Sequence, residues 1–277
     1  MTIRHAYDEY TGREDEDRFE ALDDYDNLIG SAWVASQRLF SLYPRQPMRL
    51  RVVAEGDDEA MHALLGAATA RALKLAKQDS EVGARVYYEC SPDDEKTIER
   101  LKTFGYVDDD GVVQMRRRLM PGPMARPLPE GCTVVRDELS DGVEANYFLG
   151  RHNEMFGEKR DIAWLSELRQ KLNFTRFLIV APDGLAGEAL MWSEGFNGVI
   201  GTLQTTPMWR RKGIATYLLE LARIFFLERG VYRSAMDIWL RLVPAGKLAY
   251  SLEYEPGKML IRYPGIDVNI AGKRKKT

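Results

Sequence analysis

The clearest pattern in the chain lies at Ile214, Tyr217, Leu218, Leu221, Ala222 and Phe225, apolar residues spaced 3, 1, 3, 1 and 3 positions apart. That spacing is one face of an α-helix, which ends near Gly230. Residues 199–206, just before it, read as a strand. Residues 176–181 and 187–193 are two further strands, separated by Pro182-Asp183-Gly184, a hairpin-turn signal. Downstream, residues 235–240 and 258–263 are predicted strands, with a short helix at 247–252 between them. Upstream, a β-branched run at 132–136 precedes a helix over 142–156, where Val143, Tyr147 and Phe148 recur at near-helical spacing. A second helical piece covers 162–172.

The first half repeats part of this order. Strand 48–54 leads into a helix over 60–77 with Met61, Leu64, Leu65, Ala68, Ala72 and Leu75 inward. Strand 85–90, helix 94–103 and strand 111–119 follow, so a weak internal duplication is expected. Residues 8–26 hold ten carboxylates and read as a solvated helical face and turn. Between the halves, residues 119–129 contain four prolines and a glycine, which remove backbone donors and interrupt regular pairing. The expected division is a first domain over 1–120, a Pro-rich linker at 121–129 and a second domain over 130–277. The fold class is α/β (α+β), two units each with a mixed central β-sheet flanked by helices.

Composition narrows the function. The 277 residues are 45% hydrophobic and 29% charged, the balance of a globular protein able to bury a core. No membrane-length apolar run and no signal-peptide core are present, which predicts a cytoplasmic protein. Cys90 and Cys132 lack paired spacing, and His5, His62 and His152 lack ligand spacing, so no metal site is expected. A net charge of −3 argues against nucleic-acid binding, and the basic tail Lys273, Arg274, Lys275 and Lys276 reads as a solvated end.

The candidate chemistry sits between the last strand before the periodic helix and the helix itself, at Thr206-Pro207-Met208-Trp209-Arg210-Arg211-Lys212-Gly213-Ile214-Ala215. A helix start presents unpaired amides and positive dipole potential to an anion. Gly213 permits close approach, Ala215 keeps the first turn small, and Arg210, Arg211 and Lys212 supply charge suited to phosphates. No Walker A loop and no dinucleotide fingerprint are present. The corresponding stretch of the first half, Ala54-Glu55-Gly56-Asp57-Asp58-Glu59, carries four carboxylates that would repel a pyrophosphate.

The segment TTPMWRRKGIATYLLELARIF resembles the coenzyme-A-binding motif of the GNAT superfamily of N-acetyltransferases, and GKLAYSLEYEP resembles its second signature, a short helix with a tyrosine. The likeness reaches residues 128–265. The first half looks like a degenerate GNAT-like unit, as in tandem members, left with packing, a substrate wall or a homodimer surface as its role. The resemblance implies acetyl-CoA as cofactor, with Arg210, Arg211, Lys212, Gly213, Ile214, Ala215 and Thr216 holding the pyrophosphate. Leu203, Gln204 and Thr205 would pair with the pantetheine arm, and Tyr250 would protonate the departing thiolate.

Two departures from the family pattern shape the remaining expectations. The usual Gly-Phe after the tyrosine is Glu253-Tyr254, which leaves Tyr254 as an alternative to Tyr250. The strand before the loop has no carboxylate, so Glu188 and Glu194 become the candidate bases, with Asp237 a third. The expected activity is acetyl transfer to the primary amine of a small molecule or peptide, catalysed by the second half, and residues 142–172, with Asn153, Glu154, Met155 and Phe156, would border the acceptor. The competing expectation is a non-catalytic acyl-CoA sensor.

Overall fold

The computed structural model describes residues 1–8, 13–78, 83–124 and 126–268. The basic tail Lys273 to Lys276 and Glu9 of the acidic stretch lie outside the described residues. The chain divides into two compact units, Met1–Val112 with Met259–Thr277, and Val113–Lys258. Residues 119–129 fall inside the second. Each of two mixed sheets is flanked by helices, the α/β arrangement expected of two GNAT-like units.

The first sheet runs in the order β1 (Thr2–Asp8), β2 (Arg13–Leu22), β3 (Leu28–Arg38), β4 (Met48–Gly56), β5 (Ala84–Tyr88) and β13 (Gly265–Val268). Helix α1 (Asp58–Gln78) buries Leu64, Leu65, Ala68 and Ala72 against Leu50, Val52 and Val86. A shorter helix, α2 (Glu95–Thr103), is capped by Asp94. Within the stretch 8–26, where a helical face is expected, Arg13–Leu22 forms strand β2 instead. Only the end of β2 is buried, and its carboxylates find cross-strand and helix partners: Arg4 lies 3.1 Å from Glu20, and Arg71 lies 2.7 Å from Asp17 and 2.9 Å from Glu16. Strand pairing on both sides of β2 overrides its low β-propensity.

The second sheet runs in the order β12 (Glu255–Arg262), β6 (Gly111–Arg118), β11 (Arg233–Trp239), β10 (Asn197–Thr205), β9 (Gly184–Glu194), β8 (Leu172–Ala181) and β7 (Thr133–Asp137). Strand alternation gives β9 two apolar faces. Ala189 and Met191 pack in one cluster with Ile214, Leu218, Ala222 and Phe225 of α5 (Ile214–Leu227). Leu190 and Trp192 pack in another with Phe148 and Leu149 of α3 (Gly142–Phe156) and Leu165 and Leu168 of α4 (Ile162–Arg169). Burying each such side chain is worth about 1.5–3 kcal/mol, so these layers fix the frame on which the site is built. Of the three residues whose spacing suggests α3, Phe148 is buried while Val143 and Tyr147 are exposed, and Ala145, Leu149 and His152 take the other buried positions. The last helix, α6 (Val243–Ser251), carries Tyr250.

The Pro-rich stretch is tied down. Arg223, buried on α5, donates to the carbonyls of Met120, Gly122 and Pro123 at 2.9, 3.1 and 3.0 Å, and its own charge is met by Glu220 at 2.8 Å. A proline-rich segment offers carbonyls without matching amides, and a guanidinium supplies the donors. No helix among the described residues is long and apolar enough to cross a membrane.

Candidate active site

The parallel strands β10 and β11 stay paired only over Gly198–Ile200 and Ser234–Met236. Beyond that point Gly201 to Thr205 and Asp237 to Trp239 part company, which frees main-chain donors and acceptors in the gap. The same place carries a β-bulge between β10 and β9. Gly201 sits at the bulge, where a Cβ would come within 2.1 Å of the Trp192 ring. By shifting side-chain parity, the bulge turns Thr202 and Gln204 toward α3, while Leu203 packs with the α5 cluster.

The loop after β10 begins with a 3₁₀ turn at Pro207–Trp209 and is anchored by Trp209, whose Nε1 donates to Asp183 at 3.0 Å. Lys212 lies over the Trp209 ring at 4.3 Å. Arg211 and Gly213 have φ of 68° and 89°, so the backbone turns through the left-handed region twice before α5 begins. Helices α2, α3 and α4 are each capped by an aspartate side chain, whereas α5 has no side-chain cap and no acid in its first turn. Its leading amides are left for an anion. Arg210, Arg211 and Lys212 are exposed around them. Space is also open, since a Cβ on Gly213 would meet only Cδ of Arg126, at 3.6 Å. Arg126 thus adds a cation that sequence reasoning missed, brought to the loop by the strapped Pro-rich segment. An uncapped helix start, four cations and an opened strand pair fit a nucleotide pyrophosphate with an extended arm.

The sequence-derived carboxylates differ sharply in environment. Glu188 is fully buried and gripped on both oxygens: Arg151 approaches at 2.8 and 3.0 Å, Arg176 at 3.2 Å, and Gln204 donates to it as well. Arg176 also binds Asp137 and, at 3.3 Å, Glu144. Glu188 is therefore the centre of a buried ion network. Glu194 is apart from it, exposed at the end of β9, where a hydrogen bond from Trp192 at 2.9 Å, together with Lys171 at 3.2 Å, holds its carboxyl below the ordinary glutamate value. Asp237 stands on the parted half of β11. Its side chain is exposed, yet partial desolvation by the surrounding protein, reinforced by the charge of Glu194 and opposed by a hydrogen bond from Gln114, pushes its carboxyl above the ordinary aspartate value.

The tyrosines separate just as cleanly. Tyr254 is buried, its hydroxyl 2.8 Å from Ser234 Oγ, and burial pushes its phenol up to about 12. Tyr250 is 61% exposed on α6. On the α3 side, His152 is buried between Thr202 Oγ1 and Glu158, each at 3.3 Å. Because a carboxylate only accepts, Nε2 carries a proton toward Glu158, and in the neutral ring Nδ1 accepts from Thr202. The ring is flanked by Phe156 and Trp164, and Phe156 stacks in turn on Trp239 at 5.6 Å. This aromatic row reaches from α4 to β11. Its trace in the sequence is the i, i+4 spacing of His152 and Phe156. Among the described residues no group of three or more His, Cys, Asp or Glu could hold a metal.

The sequence matches no protein-family model and no curated protein sequence. Its fold is nevertheless that of known structures. A GCN5-related N-acetyltransferase from Sphaerobacter thermophilus is 18% identical, with a TM-score of 0.50 over 93% of this chain and 82% of that one. A conserved protein of unknown function from Enterococcus faecalis V583, an N-acyltransferase candidate, is 15% identical, with a TM-score of 0.51 over 89% of this chain and 61% of that one. The chain has the GNAT fold.

Proposed function

We propose that this protein is an N-acetyltransferase that moves acetyl from acetyl-CoA to a primary amine of a small molecule or peptide by direct attack, with the second unit catalytic. One observation carries the reading: the uncapped, glycine-started helix α5, ringed by cations, adjoins a parallel strand pair that separates after Ile200 and Met236. Arg126, Arg210, Arg211 and Lys212 would hold the pyrophosphate with the amides of Gly213, Ile214, Ala215 and Thr216. Leu203, Gln204 and Thr205 would offer their main chain to the pantetheine arm. Acetyl-CoA held there supplies a thioester acyl group whose departing thiolate must be protonated.

Tyr250, with its exposed phenol, is the choice for that proton over the buried Tyr254. Of the three carboxylates, Asp237 is the best base. Its raised pKa gives it more proton affinity than an ordinary aspartate, whereas Glu194 is weakened and both oxygens of Glu188 are taken by guanidinium groups. The engagement of Glu188 also favours a second reading, an acyl-CoA sensor without turnover. Thiol release from acetyl-CoA across a panel of amines separates them. We expect turnover with at least one amine, abolished in Gly213→Glu; tight binding with no turnover for any amine would assign the protein to the sensor class.

A further inference from the structure

A second cationic site lies away from the α5 start. Arg136 of β7, Arg169 of α4, Lys171 and Asn173 at the start of β8, and Arg229 just beyond the end of α5 line a cavity of about 400 Å³, and Glu138 is the only acid among its lining residues. Arg136 and Arg229 both lie against the ring of Phe225, their Cζ atoms 4.9 and 3.6 Å from its centroid. Arg136 Nε donates to Thr175 Oγ1 and Arg229 to the Phe225 carbonyl, each at 3.0 Å, and neither bond neutralises the like charges gathered at one ring, which an anion would. Burial, with the positive charge of Arg136 adding to it, correspondingly lowers the pKa of Arg229, despite Glu228 at 3.6 Å.

Arg169 makes the case independently. Its Nε and Nη2 are buried and have no hydrogen-bond partner among the described residues. A buried guanidinium donor left without an acceptor is costly, so these two atoms call for one. Lys171 is already met by Glu194, so the unsatisfied buried donors of the cavity are those of Arg169.

We propose that this cavity is a binding site for a small organic phosphate, a dianion bridging Arg136, Arg169 and Arg229. Planar guanidinium groups match phosphate oxygens in paired fashion, and the volume exceeds what a bare ion fills. The proposal does not depend on coenzyme A binding. Calorimetric titration with inorganic phosphate and with phenyl phosphate, at ionic strength held constant with chloride, tests it. Wild-type protein and Gly213→Glu should bind phenyl phosphate alike, since the α5 loop is not the site. Arg169→Gln and Arg229→Gln should each bind it at least about tenfold more weakly, with inorganic phosphate weaker than the monoester throughout. Arg169, at a helix end, is the variant whose melting temperature should stay near wild type. Unchanged affinity in Arg169→Gln, loss of binding in Gly213→Glu alone, or no phosphate binding by any of these proteins would overturn the assignment.

Discussion

The passages from β4 to α1 and from β10 to α5 are the same local construction, a strand, a turn with a positive-φ glycine and a long helix, yet they are chemically opposite. In the first, Gly56 is crowded: a Cβ there would lie 2.5 Å from Gly30 Cα and 2.6 Å from the Ile29 carbonyl. Helix α1 opens with Asp58 and Glu59, and Asp58 is held by Lys96 and Arg100 of α2. Strand β4 stays paired with β5 along all five residues of β5, and Tyr88 donates to the Ala54 carbonyl at 3.3 Å. In the second, Gly213 faces open space, the flanking charges are positive, and β10 and β11 separate after three pairs. On the proposed reading, the backbone of a helix start does not make a phosphate site by itself. It needs room over the glycine, cations and an opened strand pair together.

Perturbing the open side should have the largest effect. Asp237→Asn and Tyr250→Phe should each lower kcat by about 100-fold or more while leaving affinity for coenzyme A within about twofold. The wild-type rate should fall as pH drops through the raised Asp237 pKa, because a base must be deprotonated, and Asp237→Asn should lose that acidic limb. A normal rate in either variant would move the proton transfers to other groups. Next in size is the buried ion network beneath the site. Glu188→Ala leaves Arg151 and the buried Arg176 without a shared counter-charge and should destabilise the second unit by about 3 kcal/mol in denaturant titration; a change under about 1 kcal/mol would return Glu188 to the list of bases.

What the two units share should give smaller effects. Each buries a tyrosine against a hydroxyl, Tyr106 against Thr69 at 2.9 Å and Tyr254 against Ser234 at 2.8 Å, and burial pushes both phenols up to about 12. Folding therefore favours the neutral phenol. This contribution is complete below the ordinary tyrosine value of 10.0 and is lost as pH rises through about 12. Tyr106→Phe and Tyr254→Phe should each cost about 1 kcal/mol at neutral pH and be less sensitive to alkali than wild type, measured by unfolding between pH 9 and about 12. Equal alkaline sensitivity in all three proteins would contradict this account. Smallest of all, Asp58→Lys should give the first unit no coenzyme A binding, because Gly56 remains crowded and β4 remains paired with β5.

Much of the open side was legible in the sequence. The 3.6-residue period of α5, the Pro182-Asp183 turn and the Arg-Arg-Lys-Gly loop are local, and local signals survive folding. The first three strands were not legible, because an acidic run such as that of β2 becomes a strand only through partners on β1, β3 and α1. Nor was the burial of Glu188, whose arginine partners lie 12 and 37 residues away in the chain. Arg126 had a readable trace: Glu220 and Arg223, an ion pair on an apolar helix, are the kind of buried charge that needs an external partner, and the donor-poor Pro-rich segment provides it.

The central claim is that only one of the two strand-turn-helix passages holds the cofactor. Calorimetric titration of the full chain with coenzyme A tests it most directly. The account predicts one site per chain, lost by at least about 100-fold in Gly213→Glu with the melting temperature kept. Two sites per chain, or an affinity unchanged by Gly213→Glu, would contradict it.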